Sequence, residues 1–438
     1  MTRRGGRRLW LGVLGTLVAL ACTEDLTAPG KCPNFCPTTK IQQTDTIIAG
    51  MIGRDSSYGR PIGYVSPQGA GVLLADSLPT LDSRPIIRFG PVATRALIAS
   101  TDTTTGPLMG PDSVRVQLQI VRRDTSAHNL RLSFYRLPLT IDSTTGFAAL
   151  SDSFNVTPVR RINVDRLLAL PGQIDSATGD RVTIDSTFAP LQRFVLVFRF
   201  DSLQIPWVPT DSGKVALGIR VTADKPTSTA LASLESGAGA GLTWYNRFDS
   251  AGTIIDKHQS AAAAFDAFVF DQVPPALDSN LTVGGVPSAR SLLRVDLPRA
   301  IRDSTQIVRA TLILVPAVAA QGVPGDSFFV AVHQVAADFG AKSPVATSTT
   351  LHPDSATVFV GKLDTVTVEV TNFLRAWQTD TTIPHTLLLR QVIDIPNAVS
   401  RLQEGATFSE IRFYSSRALA YRPALHLTYL PRYPFGTP

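Results

Sequence analysis

Cysteine and histidine have the widest chemical repertoire here, and the 438-residue chain has three of one and six of the other. Cys22, Cys32 and Cys36 fall within fifteen residues, so one metal or redox centre is the first reading to test. A zinc site takes four ligands at characteristic spacings, and the first histidine is only His128. His258, His333, His352, His385 and His426 are scattered, with no HExxH and no pair at ligand spacing. His333 and His426 sit inside strand-like runs and read as ordinary sheet-face residues. No GxSxG occurs, and with every cysteine near the start a cysteine nucleophile is excluded. The run GAGAG (237–241) lacks the Lys-Ser/Thr of a phosphate loop and precedes GLTWYNRF, so it reads as a turn.

Carboxylates are plentiful, mostly as Asp-Ser or Asp-Thr, among them Asp55, Asp76, Asp142 and Asp380. Calcium needs six to eight converging oxygens. No such loop stands out, and Asx- and ST-turns explain the dipeptides without a metal. No cofactor and no metal ligand is therefore assigned, although exported β-proteins of this kind often hold a structural calcium. Sugar binding needs aromatic faces flanked by polar groups. Trp244, Tyr245, Tyr58 and Tyr64 are the candidates, with Tyr414 and Tyr421 near the other end. Trp244 and Tyr245 are adjacent on a predicted strand, so they point to opposite faces and at least one belongs to the core.

The start of the chain explains the cysteines. MTRRGGRR is followed by thirteen largely apolar residues, Leu9 to Ala21. A spanning helix needs roughly 20, so this is the h-region of a signal peptide. The sequence ALA before Cys22 resembles the lipobox of bacterial lipoproteins, in which the cysteine is acylated and becomes the new N-terminus. The plainer alternative is a secretory signal cut just before Cys22. Residues 22–44, rich in Pro, Gly and Thr, read as a flexible tether. Cys32 and Cys36 lie in it as KCPNFCP, and in an exported chain they are expected to pair as a small disulfide. Four leader arginines account for most of the +6 formal charge; without them the chain carries +2. That balance gives no reason to propose nucleic acid as a partner.

Beyond the tether, runs of Val, Ile, Leu, Phe and Thr alternate with polar residues between Asp-Ser, Gly and Pro breaks, the pattern of an all-β protein. In SVRVQLQIV (113–121), Val114, Val116, Leu118 and Ile120 share one face. The few helical candidates are 164–169 and 372–378, where Phe373, Leu374 and Trp377 share a face.

Seven strand-like segments recur in order. RPIIRF (84–89) answers RSLLRV (290–295), SVRVQLQIV answers IVRATLILV (307–315), and NLRLSFYRL (129–137) answers SFFVAVHQV (327–335). RFVLVFRF (193–200) answers VTVEVTNF (366–373), and KVALGIRV (214–221) answers TLLLRQVI (386–393). GLTWYNRF (241–248) is matched to EIRFYSSR (410–417), and FDAFVF (265–270) to ALHLTY (424–429). The reading is a leader (1–21), a tether (22–44), module 1 (45–270) with a polar insertion near 139–190, module 2 (271–432), and a tail (433–438).

The second copy carries RSLLRVDLPRAI, VTVEVTNFLRAW, HTLLLR and EIRFYSSRALAYRPALHLTYL. In that order these resemble the DNRLRE family of extracellular β-sandwich modules, over most of 285–430. The first copy lacks the equivalents of Asp296 and of Arg422-Pro423, and is assigned by the repeat instead. The resemblance implies two antiparallel jelly-roll-like sandwiches related to carbohydrate-binding modules. It also implies core roles for Trp377 and Phe413.

The expected protein is an exported lipoprotein, held to the membrane by acyl chains on Cys22. Thr23 rather than aspartate follows that cysteine, which favours the outer membrane. Its expected role is non-catalytic binding or scaffolding of polysaccharide or another envelope polymer. A polysaccharide hydrolase or lyase with carboxylates in a groove between modules is the alternative, and a purely structural envelope or adhesion component is the third reading.

Overall fold

The computed structural model describes residues 43–58, 71–98, 106–184, 193–250, 252–271, 280–286, 288–337, 345–351, 353–392, 404–405 and 407–432. Cys22, Cys32, Cys36, Tyr64 and His352 lie outside them, and with them the leader, anchor and disulfide readings; of Tyr58 only the backbone is described.

Strands dominate, and local sequence explains most of them. The chain starts with β1 (Thr44–Ile48) and β2 (Ile52–Tyr58), separated by a short 3-10 turn. Then come β3 (Val72–Leu78), β4 (Leu81–Phe89), β5 (Ser113–Arg123), β6 (Arg131–Arg136), β7 (Arg160–Asn163) and β8 (Arg181–Ile184). They are followed by β9 (Phe194–Asp201), β10 (Ala216–Thr222), β11 (Thr227–Ala232), β12 (Gly241–Ser250) and the long β13 (Thr253–Phe270). The second half has β14 (Asn280–Gly284), β15 (Arg290–Val295), β16 (Thr305–Leu314), β17 (Gln321–Gly322), β18 (Ser327–Ala337) and β19 (Ala346–Thr347). It ends with β20 (Asp354–Phe359), β21 (Val366–Glu369), β22 (Thr386–Val392), β23 (Ser409–Tyr414) and β24 (Ala424–Pro431).

Period-2 alternation places residues as expected: in β5 Val114, Val116, Leu118 and Ile120 are buried, while Arg115 and Gln117 are exposed. The Asp-Ser and Asp-Thr dipeptides make turns. Asp142 accepts from the Thr144 amide at 2.8 Å, and Asp380 accepts from the Thr382 amide at 2.9 Å. Helices form at Val164–Leu168 and Thr371–Thr379, and the latter buries Phe373, Leu374 and Trp377.

From β2 to β24 every strand pair is antiparallel. One sheet joins β3 to β13, with β9 beside β5 and β8 at its outer side. Its core holds Phe134, Phe198, Phe200 and Trp244, with the first two rings 4.5 Å apart. The other sheets enclose Phe328, Phe373, Trp377 and Phe413. A third cluster joins the halves, setting Val72, Leu74 and Phe268 against Val286, Val323 and Phe408. The 139–190 segment is more than a polar insertion. It supplies β7 and β8 and buries Asp180, which receives two bonds from Arg160 at 2.6 and 2.7 Å.

Pairing departs from the sequence reading in two places. Residues 45–58, read as the start of module 1, join second-half strands: β1 lies beside β24, and β2 pairs with β15. Two of the seven matched segments also change partners. GLTWY (241–245) borders β5 as HLTYL (426–430) borders β16, so these two correspond. EIRFYSSR instead corresponds to β11, since β23 pairs with β14 as β11 pairs with β3. FDAFVF corresponds to β2, because each borders the strand carrying RPIIRF or RSLLRV. Alternation marks a run as a strand, but its partner is fixed by contacts distant in sequence.

Candidate functional site

Five neighbouring strands, β13, β12, β5, β9 and β8, present one outer face, and its register can be followed residue by residue. Tyr245 on β12 sits between His258 on β13 and Ser113 on β5. The next row reads Ser260, Thr243, Arg115 and Arg199, and the row after it Ala262, Gly241, Gln117, Val197 and Arg181. On β12, β5, β9 and β8 these residues alternate with buried ones such as Trp244, Val114, Val116, Phe198 and Val182, so the chemistry of the face is set by the polar half of the β pattern.

Trp244 and Tyr245 part as adjacent strand residues must. Trp244 is buried, packs edge-on against Trp207 at 5.0 Å, and donates its indole N–H to the Gly213 carbonyl at 3.1 Å. It serves the core and offers no platform to a ligand. Tyr245 remains partly exposed on the outer face, with the Arg115 guanidinium 4.8 Å from its ring centre and the His258 ring 6.1 Å away.

A groove of about 270 Å³ opens at Tyr245. Arg115, Arg199, Arg247 and Lys257 line it, against two carboxylates, Asp112 and Asp256. Asp256 is engaged by Arg247 at 3.0 Å, and Asp112 accepts from the Ser113 hydroxyl at 3.0 Å. Arg115 and Arg199 stand directly opposite each other on β5 and β9. Neither is in an ion pair among the described residues. Like charges opposed across two strands destabilise a sheet, so this pair is a local cost that fold packing does not explain. Asn246 also lines the groove while 2% exposed; its Oδ1 accepts from the Gly110 amide, and its Nδ2 has no hydrogen-bond partner among the described residues.

Two other concavities were predicted by no motif. One, about 340 Å³, lies over β2 and β15 and is lined by Arg54, Asp55, Arg294 and Arg417. Asp55 is occupied there: it accepts from the Ser416 amide and faces Arg417 at 4.0 Å. The second, about 130 Å³, contains His333, Ser355 and Arg390. Burial first, then the positive charges of Arg390 and Arg290, push the His333 pKa down to about 4, so the ring is neutral at pH 7. His426 bonds Asp45 at 2.9 Å on the exposed part of β24.

Among the described residues no group of three or more His, Cys, Asp or Glu side chains is placed to hold a metal ion. No helix among them is long and apolar enough to cross a membrane, which says nothing of strands. Tyr414 and Tyr421 stack 5.5 Å apart near the far end of the chain, away in sequence from Tyr245. Sequence reasoning singled out Tyr245 but passed over Arg115 and Arg199, which the structure brings to the same groove. Their signal was present as polar residues alternating through SVRVQLQIV and RFVLVFRF, where the apolar half drew attention.

No family model matches the chain, and no curated protein does. A solved DUF4785 family protein from Legionella pneumophila aligns over 91% of this chain and 96% of its own at 9% identity, with a TM-score of 0.12. A likeness that slight carries no argument about fold or function.

Proposed function

We propose that the protein is an exported, lipid-anchored, non-catalytic binder of polysaccharide or another envelope polymer, built from two jelly-roll-like sandwich modules of the DNRLRE kind. Acylation at Cys22 holds it at the membrane, the outer one by preference, and the 22–44 tether with a Cys32–Cys36 bridge spaces the modules from it. The binding face is the outer surface of β13, β12, β5 and β9. The observation that carries this reading is Tyr245, a partly exposed aromatic in a groove flanked by guanidinium, hydroxyl and amide groups. A pyranose stacks its apolar face on such a ring while the polar neighbours take its hydroxyls. Binding is favoured over hydrolysis because both groove carboxylates are already engaged, Asp256 by Arg247 and Asp112 by Ser113.

Affinity electrophoresis through gels carrying different polysaccharides tests the proposal. Wild type is slowed by at least one polymer, and Tyr245→Ala runs free of it with an unchanged fold. Passage of wild type unhindered through every polymer contradicts the reading. The anchor is tested separately, by fractionating cells that express Cys22→Ser. The variant leaves the membrane; unaltered membrane association overturns the lipoprotein assignment.

A further inference from the structure

We propose that the polymer bound at the Tyr245 face is an acidic polysaccharide, carboxylated or sulfated. The inference rests on the proposed binding surface and adds the charge of its ligand. Arg115 and Arg199 are opposed in register and both line the groove, and neither is in an ion pair among the described residues, so the face carries two guanidinium groups with no carboxylate partner. A planar anion lying between them receives charge-assisted bonds from both and removes the repulsion. Arg181 follows one row on, continuing the positive strip along the sheet as a linear polymer with repeating acids requires. Thr243 and Ser260, their hydroxyls 2.9 Å apart, complete the row with groups suited to sugar hydroxyls. Nucleic acid fits less well, since single strands are held by several stacking aromatics and this face offers one tyrosine.

Purified full-length protein is titrated with polygalacturonate, dextran sulfate, neutral dextran and a DNA oligonucleotide. One or both acidic glycans bind, and their relative strength tells carboxylate from sulfate. Binding weakens as salt rises from about 0.01 M to about 1 M, because the screening length falls from about 30 Å to about 3 Å. Arg115→Gln and Arg199→Gln each raise the dissociation constant about tenfold, as loss of a charged hydrogen bond does. Neither lowers the urea midpoint of the free protein, since each removes a like-charge contact. Neutral dextran bound as well as the acidic glycans overturns the charge inference while the polysaccharide reading stands. If no glycan binds, both fall. DNA bound as tightly as the glycans, or undiminished binding by both variants, also overturns it.

A separate observation carries a second inference. From strand pairing we infer that the chain is a tandem repeat of a closing strand followed by a body, and that each closing strand serves the other repeat's body. The bodies are β3–β12 and β14–β24, and the closing segments are β1–β2 and β13. Within the bodies β4, β10 and β6 are joined as β15, β22 and β18 are, and β5–β9 as β16–β21. β13, which precedes the second body, closes the first by pairing with β12 and β4. β1–β2, which precedes the first body, closes the second by pairing with β24 and β15.

Detail supports equivalence of the two closing segments. Each has a bulge at the same place, at Ala264 opposite Arg88–Phe89 and at Gly53 opposite Arg294–Val295. Gly90 donates its amide to the Ala262 carbonyl as Asp296 donates to Met51, at 3.1 and 2.7 Å. Asp266 on β13 accepts from the Leu234 amide two residues past β11, and Asp55 on β2 accepts from the Ser416 amide two residues past β23.

Hydrogen exchange on full-length Asp55→Ala and Asp266→Ala tests the exchange. Loss of protection crosses over: Asp55→Ala loosens strands within 280–431, and Asp266→Ala loosens strands within 72–250. The reverse pattern, each aspartate protecting the body that follows it in sequence, overturns the inference. Should alanine unfold the chain, Ser57→Cys with Ser291→Cys, in a background with the native cysteines changed to serine, decides the matter. Ser57 and Ser291 oppose each other with hydroxyls 3.0 Å apart. A disulfide within monomers supports the exchange; a linked dimer or no disulfide contradicts it.

Discussion

Trp244 and Tyr245 are consecutive residues with unrelated jobs, and mutation separates them. Trp244 fills the first core, so Trp244→Ala lowers stability by about 3–5 kcal/mol, read from urea unfolding. Tyr245→Ala stays within about 0.5 kcal/mol of wild type, as surface changes do, yet abolishes glycan binding. Asp76 makes a pH prediction. It is fully buried, bonded by Ser83 at 2.7 Å, and burial raises its pKa to about 6. Its folded pKa exceeds the ordinary 3.8, so its contribution is complete below about pH 4 and is lost as pH rises through 6. Asp76→Asn therefore gains on wild type with rising pH, by about 3 kcal/mol at pH 7. Comparing variant with wild type at each pH removes the opposite trend from His333, whose neutral-ring stability is lost as pH falls from 6.5 toward 4. A stability difference that does not change between pH 4 and 7 contradicts the assignment.

Among the elements, the hairpin joining β14 to β15 turns on two glycines with left-handed backbone, Gly284 and Gly285. Gly284 has φ of 85°, and a Cβ there would lie 2.1 Å from the Ser409 carbonyl oxygen. Gly284→Ala strains the turn and drives β14 from β23, costing more than about 1 kcal/mol and deprotecting 409–414 in hydrogen exchange. Wild-type protection in the variant contradicts that account. At this scale the sequence was readable where information is local. Alternation located β5, β6 and β24, and the Phe373, Leu374, Trp377 spacing located a helix. The partner of each strand was not local information, and neither was the direct opposition of Arg115 to Arg199. FDAFVF looks as much like ALHLTY as like any other apolar run. Only the bulge, the register and the Asp266 cap show that its counterpart is β2, more than two hundred residues earlier.

Across the whole molecule, the described residues from Asp45 onward form one compact unit. The halves are joined by the Phe268, Val323 and Phe408 cluster and by the Arg122–Asp326 pair at 2.7 Å. Burial raises the Asp326 pKa against the pull of Arg122, so the pair is partly sheltered from solvent. Phe408→Ala removes a fully buried ring from that junction, and calorimetry should then resolve two unfolding transitions where wild type shows one. A single transition shifted down in temperature would mean that the exchanged strands alone keep the halves cooperative. The proposed function rests on one outer face, whose aromatic was visible in the sequence and whose cations come together only when β5, β9 and β12 lie side by side. The most direct test of that account is a glycan array probed with full-length wild type and Tyr245→Ala. The account predicts wild-type signal on acidic glycans, lost in the variant; no wild-type signal, or the same signal from both proteins, contradicts it.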